Sequence, residues 1–596
     1  MTCSLERFAW GPSYQEDGIC FRLWAPDVTA LALRVGSEHV SMDRKEDGWF
    51  ETLRSDVPTQ THYSFILPDG TAVPDPASRY QSGDVGGPSM LVDPNAYDWR
   101  HPDWQGRPWE EAIIYELHVG TFTEDGTFRA AAERLGLLAD LGFTAIEVMP
   151  IAQFPGSRGW GYDGVLHYAP HNSYGTPEDF KAFIDAAHGL GLMVFLDVVY
   201  NHFGPEGNYL PTYAPAFFRS DSPTPWGPRI AFERIPVRQY FIDNVMYWLS
   251  EFRLDGLRLD AIDQIDDKSH HHILEEISER VSRHFDVRHV HLMTENPANG
   301  TDMIANRNGR PLFKADWNDD FHHALHVVAT GENSGHYAPF KDAPWVKLRQ
   351  ALASGYVREG VQTLGGAKVP TEAIAPTSFV HFLQNHDQVG NRAQGDRLSS
   401  LVGDENFRAF TEILMLSPQI PLMFMGDDHL SSRPFRFFAD YEGELARAVR
   451  ESRPKEARNF GSPSRDTEGG EIADPNHLAT FQSSKLLWSE AFMDRRLRWR
   501  EWLTRLISVR RKCIVPHLIQ AKGHSGKVVP SLDRCLFVGW QLGDHELHLR
   551  ANLSDIELEC DLPPNAQIYP VLTHKRGTLP PNSVSAFMMA EENGSG

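Results

Sequence analysis

Three carboxylates follow apolar runs in the middle of the chain, and their spacing makes them candidates for nucleophilic and acid–base chemistry. In residues 256–260 an arginine and an aspartate alternate with leucines. Residues two apart in an extended strand face the same side, so Arg258 and Asp260 project together. A guanidinium beside a carboxylate favours its ionised form, which suits Asp260 to act as a nucleophile. A purely structural ion pair is the alternative for this segment taken alone.

Two further segments have the same form. The apolar residues 290–293 lead to Glu295, and the apolar residues 379–383 lead to Asp387. Three carboxylates, each just past a buried strand, are what a parallel barrel with its active site at the carboxyl ends of the strands should show.

From residue 109 onward, strand-like runs alternate with amphipathic helical stretches such as residues 128–141. Thr127 and Thr176 stand where helix-capping residues are expected. A long excursion at residues 200–236 should contribute to the site. The eight predicted strands are residues 113–119, 145–149, 192–199, 256–261, 290–295, 312–316, 379–385 and 420–425. This alternation predicts the α/β class and a (β/α)8 TIM barrel.

Shorter runs with β-like alternation flank the predicted barrel. We expect an N-terminal β-sandwich at residues 1–100, a catalytic barrel with loop insertions at residues 101–512, and a C-terminal β-sandwich at residues 513–596. A length of 596 residues also requires more than one core.

Composition narrows the class of protein. The formal net charge of -23 argues against a nucleic-acid partner and suits a neutral ligand. The 15 Trp and 17 Tyr residues fit sugar-stacking surfaces, and an aromatic core explains them equally well. Five scattered cysteines indicate neither a disulfide framework nor a zinc site. No signal-like or membrane-spanning segment is evident, so we expect a cytoplasmic protein without a membrane partner.

Four ordered segments resemble the signature regions of the α-amylase superfamily of retaining α-glucosidases, namely residues 197–202, residues 256–260, Glu295 and residues 385–387. Further segments resemble the maltooligosyltrehalose trehalohydrolase family in particular, namely residues 115–123, 168–172, 201–209, 316–323 and 385–392. The resemblance implies cleavage of the α-1,4 bond next to the terminal trehalose of maltooligosyl trehalose. It also implies a maltooligosyltrehalose synthase as the functional partner.

Roles follow from the resemblance. Asp260 matches the nucleophile, Glu295 the acid/base and Asp387 the carboxylate that clamps sugar hydroxyls. Glu295 must begin protonated and so needs a raised pKa. The predicted substrate-binding residues are Tyr162, His202, Arg258, His386, Trp226, Tyr209, Asp319 and Asp320. No cofactor and no metal are expected, although Asn201 occupies a position that binds calcium in many amylases.

Alternatives stay open at this point. A glucan branching or debranching enzyme would use the same carboxylates, and a catalytically silent glucan-binding protein would use none. Loop aromatics such as Trp226 and Tyr209 are as suited to packing their loop as to stacking on sugar. The histidines at residues 270–272 suggest a metal site or, more simply, a solvated helix end. Asp263 departs from the histidine common in trehalohydrolases, and residues 426–428 read Gly-Asp-Asp rather than Gly-Glu-Glu.

Overall fold

Eight parallel strands close into a barrel at the centre of the molecule, each paired with the strands before and after it in the chain. The computed structural model describes residues 8–224, 227–307, 309–364, 368–460, 472–560, 567–569 and 577–590. The barrel strands are β1 (Ile114–Leu117), β2 (Ala145–Val148), β3 (Met193–Val198), β4 (Gly256–Leu259), β5 (His291–Glu295), β6 (Ala315–Trp317), β7 (Phe379–Phe382) and β8 (Ile420–Phe424). The predicted (β/α)8 barrel is confirmed.

Helices follow most of the strands and cover the outside of the barrel. Thr176 caps one of them as predicted, since its Oγ1 accepts from the Asp179 amide at 3.2 Å and the Asp179 carboxylate accepts from the Thr176 amide at 3.0 Å. The longer helices are Leu135–Leu141, Pro177–Gly189, Ile235–Ser250, Ile273–His284, Asp319–Thr330, Pro344–Ser354, Asp404–Leu416, Gly443–Ala457, Leu478–Ser484 and Asp494–Val509.

Two predicted elements differ from the observed ones. The sixth strand begins at Ala315 rather than at residue 312, because the amide of Phe313 bonds the Met303 carbonyl outside the barrel and pairing with β7 starts only at Asp316. The helix predicted over residues 128–141 is two helices, Phe128–Ala132 and Leu135–Leu141. Neither difference moves a strand end that carries a candidate residue.

Close packing of β4 on its neighbours requires a glycine at the start of β4. A Cβ built on Gly256 would lie 2.0 Å from the carbonyl oxygen of His291 on β5, and 3.0 Å from the Phe195 ring on β3. Any larger residue would therefore push β4 away from its neighbours, and with it the two residues that follow on this strand end, Arg258 and Asp260.

Two antiparallel sheets precede the barrel and pack face to face, as the ring contact of Phe21 with Tyr63 at 5.1 Å shows. The first sheet contains Ser13–Gln15, Gly18–Trp24, Asp43–Arg44 and Trp49–Arg54. The second sheet contains Ala32–Val35, Glu38–Ser41, His62–Ile66, Ala72–Val73 and Ser89–Met90.

Two further sheets follow the barrel. The larger contains Ala521–Val528, Cys535–Leu542, His545–Asn552, Gln567–Tyr569 and Ser583–Ala590, and the smaller contains Leu558–Glu559 and Thr578–Leu579. The larger sheet is joined to the barrel helix Pro344–Ser354, where the indole of Trp540 donates to the Leu352 carbonyl at 3.0 Å. The predicted boundary at residue 512 falls within a helical run that continues to Leu518. In the described ranges, no helix has the length and apolar character needed to cross a membrane.

Candidate active site

Arg258 lies at the centre of the carboxyl end of the barrel. Its side chain is fully buried, and one guanidinium nitrogen donates to Asp197 at 2.6 Å and to Asp260 at 3.0 Å. The other terminal nitrogen lies 2.9 Å from Glu295 Oε2. The strand register places these groups together, because β3, β4 and β5 are consecutive neighbours. One cation therefore serves three carboxylates from three strands.

Asp260 follows β4 directly and is held on two sides. Besides its contact with Arg258, its Oδ2 and its carbonyl oxygen both accept from the amide nitrogen of Asn201 at 2.9 Å. The next residue, Ala261, has φ +40° and ψ +56°, a left-handed conformation unusual for a residue with a side chain. In this conformation the Ala261 amide donates to Glu295 Oε2 at 3.0 Å. The same turn thus orients both predicted catalytic carboxylates.

Glu295 is the last residue of β5, and 13% of its side chain is exposed. Burial raises the pKa of its carboxyl well above the usual range, and the negative charges of Asp260, Asp387 and Asp319 act in the same direction. The Arg258 guanidinium opposes this shift without cancelling it. A raised pKa is what a general acid requires.

Asp387 and His386 begin the short helix His386–Gly390 that follows β7. The Asp387 amide donates to the Asn385 side chain at 2.9 Å, and its carboxylate accepts from Asn391 at 3.1 Å. His386 is buried between Glu116 on β1, which bonds Nδ1, and the Tyr162 hydroxyl, which lies 2.8 Å from Nε2. Burial alone would lower the pKa of His386, but Glu116 and Asp387 outweigh burial and raise it.

Tyr162 and His202 complete the ring of residues around Asp260. The Tyr162 hydroxyl donates to Asp197 at 2.7 Å. His202 bonds the Asn201 side chain through Nδ1 and lies 3.0 Å from the Tyr162 carbonyl through Nε2. Burial lowers the pKa of His202, so its imidazole is neutral near pH 7. The structure thus brings together the predicted residues from four different strand ends.

The adjacent residues Asp319 and Asp320 differ in their surroundings. Asp319 accepts from Gln388 at 3.3 Å, and burial together with the nearby charge of Asp387 raises its pKa to about 7. Asp320 is completely buried, and its carboxylate accepts from the side chain of Asn299 at 3.0 Å and from two amides and the Arg358 guanidinium at 2.7–2.8 Å. The prediction that Asp320 binds sugar is therefore not favoured, because no oxygen of this carboxylate faces the site. It anchors the loop at Arg358.

The chain is similar to known proteins in both sequence and fold. A model of the α-amylase catalytic domain matches residues 94–215. The chain is 40% identical over 523 residues to the malto-oligosyltrehalose trehalohydrolase of Deinococcus radiodurans, covering 86% of this chain and 85% of that one. The chain belongs to the malto-oligosyltrehalose trehalohydrolase family. The family member from Saccharolobus solfataricus is 39% identical over 489 residues, covering 80% and 83%. A crystal structure described as a putative alpha amylase from Salmonella typhimurium is 47% identical with a TM-score of 0.92, covering 98% of this chain and all of that one.

The long loop after β3 carries Phe203 beside the two aromatics predicted to face a sugar, and their placements differ. Phe203 is buried against the rings of Phe217 and Tyr240, so it packs the loop itself. Tyr209 is half-buried, and its hydroxyl lies 2.8 Å from the position that a Cβ on Gly86 would take. Trp226 lies outside the described residues. Of these three, Tyr209 stays a predicted candidate for substrate contact in this member of the trehalohydrolase family.

Three contributors to the site were not assigned a role from the sequence. Glu116 on β1 binds His386, Asp197 on β3 binds Arg258 and Tyr162, and Trp317 on β6 covers Arg258. A signal was available for the first two, because a charged residue inside an otherwise apolar strand must find a partner. For Trp317 the only signal was its position at a strand end.

The histidine groups do not form metal sites within the described part of the chain, where no cluster of three or more His, Cys, Asp or Glu side chains could hold an ion. His272 is buried and caps the helix Ile273–His284 by accepting from the Leu274 amide at 3.2 Å, whereas His270 and His271 are exposed. His322 bonds the Leu383 carbonyl at 2.7 Å, just before the segment that carries Asp387. His272 is therefore a buried cap rather than the solvated residue that was predicted.

Proposed function

We propose that this protein is a retaining glycoside hydrolase that cleaves the α-1,4-glucosidic bond next to the terminal trehalose of maltooligosyl trehalose. The products are free trehalose and a maltooligosaccharide. One observation carries the proposal at the level of chemistry: Asp260 and Glu295 bind the two terminal nitrogens of the single Arg258 guanidinium. Membership in the trehalohydrolase family supports the choice of substrate.

The first step uses the different protonation of the two carboxyl groups. Protonated Glu295 gives its proton to the glycosidic oxygen while the Asp260 carboxylate attacks the anomeric carbon. The bond to the leaving sugar breaks, trehalose departs and a glycosyl ester forms on Asp260. In the second step the Glu295 carboxylate takes a proton from water, the water oxygen attacks the anomeric carbon, and Asp260 is released with the original anomeric configuration.

Other side chains bind the sugar that carries the reacting carbon. Asp387 is the most accessible of the three carboxylates, with 37% of its side chain exposed, and it suits the acceptance of hydrogen bonds from sugar hydroxyls. His386, His202 and Tyr162 lie at the same site, and a sugar hydroxyl would have to share the ring nitrogens of the two histidines, which here contact Glu116, Asn201 and Tyr162. On the trehalose side we assign Tyr209 and Asp319 as candidates, together with Trp226 from the predicted set.

The substrate indicates which enzyme must act before this one. Maltooligosyl trehalose must be made from a maltooligosaccharide by an enzyme that converts its reducing end to trehalose, so we propose a maltooligosyltrehalose synthase as functional partner. We propose the cytoplasm as the compartment, in line with five cysteines that lack disulfide-like spacing. The net charge of -23 disfavours a polyanionic ligand at this site.

The decisive test compares two substrates of similar length. Purified protein is incubated with maltotriosyl trehalose and with maltopentaose, and the products are separated by anion-exchange chromatography. We expect trehalose and maltotriose from the first substrate and little cleavage of the second. Equal cleavage of both would refute the proposed specificity, and products with new α-1,6 bonds would instead identify a branching enzyme. The Glu295→Gln variant is the control for contaminating glycosidases.

A further inference from the structure

Trp317 lies directly against the guanidinium that organises the catalytic carboxylates. It is the last residue of β6, and it is paired in register with Glu295 on β5. The centre of its indole ring is 4.2 Å from Cζ of Arg258, so the indole contacts the guanidinium at cation–π distance. Only 3% of Trp317 is exposed, so protein groups rather than a sugar surround the indole.

Hydrogen bonds hold only one end of the Arg258 guanidinium in place. Nη1 donates to Asp197 and Asp260, whereas Nε and Nη2 of Arg258 are buried and have no hydrogen-bond partner among the described residues, although Nη2 lies 2.9 Å from Glu295 Oε2. Rotation of the guanidinium about its Nη1 end would therefore change the distance from Nη2 to Glu295 without breaking a hydrogen bond at Nη2 or Nε. A flat aromatic ring against the guanidinium resists that rotation and stabilises a cation that is cut off from water.

Trp317 is itself held firmly. The neighbouring Asp316 accepts from Thr294 on β5 and from the hydroxyl of Tyr356. The indole packs on the Phe382 ring at 5.4 Å within the cluster of apolar side chains that fills the barrel. Strand pairing with β5 and the contact with Phe382 therefore hold the indole in place, and its Nε1 has no hydrogen-bond partner among the described residues.

We propose that Trp317 is a positioning residue of the hydrolysis, whose indole holds the Arg258 guanidinium in the orientation that binds Asp260 and Glu295 together. This inference rests on the proposed function, because it concerns the same site. It assigns a specific role to a residue that has no contact with the reacting atoms.

The inference predicts a change in pH dependence as well as in rate. Arg258 lowers the pKa of Glu295 against the larger opposite effect of burial. If the guanidinium turns away when the indole is removed, the pKa of Glu295 rises and the acid stays protonated to higher pH. The alkaline limb of kcat/KM should then move to higher pH. A simple loss of packing would lower the rate or the stability without moving this limb.

The test uses graded variants and a matched control. Trp317→Leu removes the aromatic face, and Trp317→Phe keeps a smaller one. Trp109→Leu removes the same side chain from the same apolar cluster, where Trp109 contacts Phe195 and His291 rather than Arg258. For each variant, kcat and KM on maltotriosyl trehalose are measured across pH, and thermal unfolding is followed by circular dichroism.

We expect Trp317→Leu to lower kcat by roughly 30-fold, the equivalent of about 2 kcal/mol, with a much smaller change in KM. Its alkaline limb should lie at higher pH than that of the wild type, with Trp317→Phe between the two. Trp109→Leu should unfold at lower temperature with the alkaline limb unmoved. A folded Trp317→Leu with an unmoved limb, or with the same kinetics as Trp109→Leu, would overturn the inference. Failure of the wild type to release trehalose would refute the proposed function instead.

Discussion

The buried pair of Glu116 and His386 gives a prediction whose sign depends on pH. Both side chains are 1% exposed, and the pair links β1 to the helix that carries Asp387. In Glu116→Gln the shape of the site is kept, but the imidazolium loses its principal counter-ion. Burial, which disfavours a charged imidazole, then dominates, and the pKa of His386 should fall below its usual value of about 6.5.

The expected loss of stability follows from linkage. In the wild type the pKa of His386 is raised by folding, so the pair stabilises the folded state fully below about pH 6.5 and less as pH rises through the folded pKa. Removing one partner of a buried ion pair costs about 3 to 5 kcal/mol. With an unfolding entropy of about 2.1 cal/mol/K per residue, that cost lowers Tm by roughly 2 to 4 °C for a chain of 596 residues that unfolds as one unit.

The assay is thermal unfolding of the wild type and Glu116→Gln at several pH values between about 5.5 and 9, at constant ionic strength. We expect the difference in Tm to be largest at the acidic end and to shrink toward the alkaline end. The control is Glu111→Gln, which removes a half-exposed carboxylate from the opposite end of β1. Gln388→Glu would not serve, because it adds a charge beside Asp319. A difference that is constant with pH, or that grows with rising pH, would refute the charged pair.

Three further predictions concern the carboxylates. Asp260→Asn and Glu295→Gln should each lower kcat by at least about 10⁴-fold with Tm little changed, and substantial activity in either purified variant would contradict the assignment. Asp319→Asn removes one of the charges that raise the pKa of Glu295, so the alkaline limb of kcat/KM should move to lower pH, and an unmoved limb would count against this coupling. Asp320→Asn should lower Tm without changing KM, because its carboxylate holds the loop at Arg358; a raised KM at unchanged Tm would restore the predicted sugar contact.

Barrel strands were predictable because strands of a parallel barrel are buried on both faces and read as continuous apolar runs. All eight predicted runs overlap an observed strand. The predicted start of the sixth strand is too early because Leu312 and Phe313 are apolar without belonging to the sheet. Phe313 is buried, but its amide bonds Met303, so it packs beside the barrel rather than within the sheet. Apolar character identifies burial and does not identify the hydrogen-bond partner.

The sequence did not predict those features of the site that depend on contacts between residues far apart in the chain. The catalytic carboxylates could be recognised because each stands at the end of a strand or shortly after it. Asp319 and Asp320 could not be told apart, since they are adjacent at the start of one helix and only the packing of that helix decides which carboxylate is enclosed. The partnership of Glu116 with His386 spans 270 positions of sequence and follows from barrel closure, which no local pattern contains.

The distribution of protons in the site follows from its single shared cation. Arg258 is within 3.0 Å of Asp197, Asp260 and Glu295, and one positive charge cannot balance three negative ones in a buried site. Burial raises the pKa of Asp197 to about 6 and that of Glu295 well above the usual range, so burial favours a proton on these two carboxyl groups. Asp260 accepts hydrogen bonds from the guanidinium and from the side-chain amide of Asn201. The acid and the nucleophile are each 13% exposed and contact the same cation, and they differ in their hydrogen-bond donors: Asp260 accepts from Arg258 and Asn201, and Glu295 accepts from the Ala261 amide.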